Sequence, residues 1–170
     1  MLSRWTVGSG SYNPASMKTL LFFLAAVGFS LPFAAAYDVS GAKPIEKLDE
    51  EVAKVKASKK LICIVYTGSD ESCPNCADAA EAGVKAVRGV AECVVIKEVQ
   101  LKDAAITGKL TPAVNKVLST QSRMAWVSFS VFDPDMNTLI ATIGRMELQK
   151  DKKAVKEFTE KIKAAKAELK

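Results

Sequence analysis

Two strand-like runs separated by one helix-length segment constrain the fold of this chain more than any other feature. The first, residues 60–67, carries Leu61, Ile62, Cys63, Ile64, Val65 and Tyr66 without interruption. The second, residues 92–99, is rich in β-branched side chains: Val94, Val95, Ile96 and Val99. Such runs suit a pleated, buried surface. Residues 74–89 between them open on Pro74 and are rich in alanine, which favours a helix. Strands joined through a helix of this length lie parallel, with a right-handed crossover. A parallel β-α-β core is expected.

At the joint between the first strand and the helix stands Cys73-Pro74-Asn75-Cys76, after the turn Thr67-Gly68-Ser69-Asp70-Glu71-Ser72. A thiol at a helix N-terminus meets unpaired N–H groups and the positive end of the dipole, so its thiolate is favoured. Pro74 suits the first helical position, and leaves the Asn75 and Cys76 amides to hold the Cys73 thiolate. Cys76 lies one turn deeper on the same face, where it can close a disulfide or attack a mixed one. This places Cys73 as nucleophile and Cys76 as resolving thiol, with an inert structural disulfide as the alternative. The nearest charges in sequence, Asp70, Glu71 and Asp78, are acidic and predict opposition to the thiolate.

The first 36 residues are set aside from the fold. Met17-Lys18 precedes an apolar run from Thr19 to Val27, Pro32 breaks it, and Ala34-Ala35-Ala36 supplies the small residues of a cleavage site before Tyr37. Residues 1–36 are read as an upstream extension and a signal peptide, with Met1 or Met17 as the start. A retained membrane anchor is the other reading. Residues 37–170 form one domain, with a periplasmic or secreted location. No Cys precedes position 63, so none is available for lipid attachment near the cleavage point. Export makes disulfides permissible for the four Cys.

The chain has 24 basic and 19 acidic residues, and residues 1–36 hold only Arg4 and Lys18 of these. The remainder is too balanced to argue for nucleic acid or an acidic partner. There is no His, which removes the commonest general base and the commonest metal ligand.

Around the core, Ile45, Leu48, Val52 and Val55 recur at helical spacing. Thr111-Pro112 opens another helix, with Ala113, Val114, Val117 and Leu118 on one side. Residues 124–132 alternate as a strand through Val127, Phe129 and Val131. Asp133-Pro134-Asp135-Met136-Asn137 is a turn, and residues 138–143 return as a hairpin that Gly144 ends. A last helix over 149–169 presents Val155, Phe158, Ile162, Ala165 and Leu169. The expected order is α-β-α-β-α-β-β-α.

That order, with C-x-x-C between the first strand and its helix, resembles the thioredoxin fold. Tyr66-Thr67-Gly68-Ser69-Asp70 ahead of Cys73 is similar to bacterial exported thioredoxin-like proteins carrying T-G-S-D-x-C-x-x-C, with a loop one residue longer here. The resemblance implies a three-layer α/β/α sandwich on a mixed sheet of about four strands. It implies a Cys73–Cys76 redox pair exchanging disulfides with extracytoplasmic proteins, a redox partner protein, and no cofactor, metal, nucleic acid or membrane span after cleavage. Pro74, Asn75, Trp126 and Val127 fall where the family meets substrate, though a Trp in the place of Trp126 more often fills the edge of a core. Val127 stands where thioredoxins have a cis-proline, Val65 where they bury an acid under the second Cys, and Glu81 where their helix carries a kinking proline. A non-proline residue at the first position favours a trans bond. These departures fit a second reading, an inactive thioredoxin-like binding or scaffold protein with a structural Cys73–Cys76 disulfide.

Cys63 and Cys93 are expected on neighbouring strands, as buried thiols or as a structural bridge. A metal site using all four Cys would require both to leave the core.

Overall fold

The computed structural model describes residues 39–68, 73–122 and 126–169, all within one compact unit. The 1–36 segment, the turn residues Ser69 to Ser72 and the stretch Arg123 to Ala125 lie outside the described residues. The chain starts with a two-residue strand β1 (Lys43–Pro44), a 3-10 turn (Ile45–Lys47) and helix α1 (Leu48–Ser58). Strand β2 (Leu61–Thr67), helix α2 (Pro74–Val87) and strand β3 (Ala91–Lys97) form the predicted β-α-β unit. A 3-10 segment (Glu98–Lys102), short helix α3 (Ala104–Thr107) and helix α4 (Pro112–Gln121) follow. The hairpin β4 (Val127–Phe132) and β5 (Leu139–Gly144) precedes helices α5 (Arg145–Lys150) and α6 (Lys152–Glu168).

The sheet order is β1-β3-β2-β4-β5, with β2 parallel to β3 and antiparallel to β4. This is a thioredoxin-like three-layer sandwich. The sheet has five strands rather than about four, because Lys43 and Pro44 pair with Val94 and Val95. Two residues are too short to show a strand period in sequence.

Alternation on β2 builds the two cores. Leu61, Cys63 and Val65 pack with Cys76, Ala80 and Val87 of α2 and with Phe158 and Ile162 of α6. Ile62, Ile64 and Tyr66 pack on the other face with Leu48 and Val55 of α1 and Val114 and Leu118 of α4. Strands buried on both faces read as unbroken apolar runs, which is why β2 was legible.

The predicted last helix differs in detail. It is two helices, broken at Asp151, whose Oδ1 accepts from the Lys153 and Ala154 amides, both at 2.9 Å. A side chain that caps a new helix ends the old one. α5 begins directly after Gly144, whose amide donates to Glu147 Oε2 at 3.2 Å. Arg145 to Lys150 are good helix formers, but Gly144 has no side chain to signal a cap, and that hid the helix start.

Candidate functional site

Cys73 caps α2 in an extended conformation, with its carbonyl accepting from the Cys76 amide at 2.9 Å. One bond ties the end of β2 to the entry of β4, and another ties the helix start to α5. The Gly68 amide, just past β2, donates to the Trp126 carbonyl at 2.7 Å, and Gln149 Nε2 of α5 donates to the Asn75 carbonyl at 2.7 Å. The helix start therefore sits where the end of β2, the entry to β4 and α5 converge.

Cys73 is half-buried and Cys76 fully buried. The Cys76 thiol donates to Cys73 Sγ across 2.7 Å, so side-chain movement alone brings the sulfurs to bonding distance. Arg145, the first residue of α5, places Nη1 at 3.5 Å from Cys73 Sγ and 3.8 Å from Cys76 Sγ. The Cys73 pKa is lowered, first by the Cys76 thiol donating to it, then by the Cys76 amide and the Arg145 guanidinium, against some loss of solvent. Cys76 is pushed up to about 11, chiefly by burial and then by the adjacent Cys73, with Arg145 opposing. One thiol is poised to ionise and the other to stay protonated.

Arg145 overturns the expectation that the pair has only acidic neighbours. Asp78 is exposed on α2, Asp70 and Glu71 lie outside the described residues, and the charge that touches the sulfurs is a cation. No local signal marks Arg145, 72 residues from Cys73. Knowing that the residue after the last strand returns to the C-x-x-C end would have pointed to it.

The expected substrate residues divide. Pro74 and Asn75 are exposed beside the pair. Trp126 is 48% exposed, and with Val117, Leu139, Gly144, Arg145 and Met146 it lines a groove of about 740 Å³ that shares Arg145 with the sulfur site but is lined by neither Cys73 nor Cys76. Val127 starts β4 opposite Thr67 with its side chain in the core, so only its backbone can face a substrate. No peptide bond among the described residues is cis. Val65 is fully buried in the cluster that holds Cys76, and supplies no proton acceptor there. The helix runs through Glu81 without a break.

Cys63 and Cys93 are free thiols on β2 and β3, register partners in the ladder. Among the described residues no group of three or more His, Cys, Asp or Glu is placed to hold a metal ion, and no helix is long and apolar enough to cross a membrane.

No protein-family model matches this chain, and no curated protein does. It is similar to a solved structure described as a disulphide isomerase from Xylella fastidiosa Temecula1, at 17% identity. The alignment covers 84% of this chain and 98% of that one, with a TM-score of 0.40.

Proposed function

We propose that this protein is an exported thioredoxin-like thiol–disulfide oxidoreductase working through Cys73 and Cys76. The observation that carries the reading is the asymmetry of the pair: a Cys73 thiol with lowered pKa at a helix end, touched by Arg145, and a buried Cys76 held near 11. The Cys73 thiolate attacks one sulfur of a substrate disulfide, and the other leaves as a thiolate. Cys73 is then neutral, so the influence that raised the Cys76 pKa from that side disappears while Arg145 stays within 3.8 Å. Cys76 ionises more readily at the step where it must attack Cys73, release the substrate thiol and leave a Cys73–Cys76 disulfide. Arg145 thus takes on part of the work that a buried acid does elsewhere in the family. Extracytoplasmic protein thiols or disulfides are the substrates, and a separate dithiol or disulfide protein resets the pair.

Purified protein lacking residues 1–36 should reduce insulin disulfides in the presence of dithiothreitol, and Cys73→Ser should abolish this. Wild-type turnover no faster than that of Cys73→Ser would instead leave the scaffold reading, which the apolar Val65 beneath Cys76 favours.

A further inference from the structure

We propose that Cys63 and Cys93 form a second oxidisable pair, entered at Cys93 by small disulfides through a cleft beside α2. The two residues are direct register partners on parallel strands and belong to the same core face. Neighbouring strands lie about 4.7–4.9 Å apart, inside the roughly 4.4–6.8 Å Cα window that a disulfide spans. Cys63 has no exposed surface, whereas Cys93 keeps 5%. The difference has a topological cause. β1 pairs only with Val94 and Val95, so the outer edge of β3 is uncovered by that strand at Cys93.

Cys93 accordingly lines a surface cleft of about 970 Å³, together with Val39, Ala77, Ala80, Val84 and Val87. Alanines on this side of α2 leave the space open. The cleft also carries Lys60, Lys85 and Arg88 against Asp78, Glu81 and Glu92, a balance that imposes no charge on what enters. Burial, and then the adjacent Cys93, push the Cys63 pKa well up, so Cys63 is held as the protonated thiol.

The order of events follows. Cys93 thiolate attacks one sulfur of a small disulfide, forming a mixed disulfide and releasing one thiolate. Cys63 then loses its proton and attacks the Cys93 sulfur, releasing the second thiol. The protein gains one S–S bond and loses two hydrogens, and the small disulfide is reduced to two thiols.

The test uses the full chain carrying Cys73→Ser and Cys76→Ser, folded and treated with hydroxyethyl disulfide. The expected product is lighter by two hydrogens, and trypsin should release the peptide of residues 61–85 linked to that of residues 89–97. Adding Cys63→Ser should leave a lasting hydroxyethyl adduct on Cys93. Recovery of both thiols free on unfolding would overturn the proposal, and so would an adduct on Cys93 that persists while Cys63 is present. If the substituted chains do not fold, the unmodified chain gives the same answer, with the link assigned to Cys63 or excluded from it by fragmentation.

Discussion

Arg145 and Cys73 together set the chemistry at the scale of single residues. The thiolate is the reactive form, so a lowered Cys73 pKa moves the rise of alkylation rate with pH below that of an ordinary cysteine. Replacing Arg145 with Ala should shift that rise to higher pH and slow alkylation at neutral pH by roughly threefold to tenfold, whereas Lys should retain part of the effect. Iodoacetamide labelling across a pH series reads both. Because the nearest charge is a cation, added salt should slow Cys73 labelling; a rate that rises with salt would restore the acidic neighbours as the dominant influence. Cys73 should label before Cys76, and Cys63 only on unfolding, as their burial dictates. Thiolate stabilisation also favours the reduced pair. Arg145→Ala should therefore make the Cys73–Cys76 couple less oxidising by roughly 10–30 mV in a glutathione titration.

At the scale of elements, α2 is held against the sheet by a close approach at Gly83. A Cβ there would lie 2.1 Å from Phe129 Cε2, in a core that has no slack. Alanine improves helix propensity by about 1 kcal/mol, but overpacking costs about 1–3 kcal/mol. With the clash this severe, Gly83→Ala should destabilise by about 2 kcal/mol, read as a lower urea midpoint with an unchanged slope. α4 is fixed differently. Thr111 caps it by accepting from the Val114 amide at 3.3 Å, and its hydroxyl donates to the Met136 carbonyl in the β4–β5 turn. Thr111→Ala loses both, and should cost about 1–2 kcal/mol in the same experiment. The Thr111-Pro112 start was visible in sequence as a cap followed by proline at the first helical position. Its bond to the hairpin was not, because nothing local couples residues 25 apart.

For the whole molecule, the thioredoxin-like order puts the C-terminal ends of β2 and β3, the N-terminus of α2 and the start of α5 at one end of the sandwich. That convergence makes a site from residues distant in sequence. Export is part of the proposed function, and N-terminal sequencing of protein recovered from the producing cell should begin at or near Tyr37. A chain that keeps its apolar segment and sediments with membranes would move the activity to a membrane surface.

Period, turn chemistry and the Cys spacing were enough by themselves for the β-α-β core, the β4–β5 hairpin and the placing of Cys73 and Cys76 at a helix start, because each is signalled by a pattern within one short stretch of chain. The Cys63–Cys93 pairing was legible only as neighbouring strands; the register that makes them direct partners belongs to the sheet. β1, the break at Asp151 and the groove beside Trp126 also required the assembled fold, since two residues show no period and a groove has no sequence of its own. Most of all, the charge beside the sulfurs was misread from neighbours in the chain. Electrostatics acts through space, and only tertiary packing brings Arg145 within 3.5 Å of Cys73.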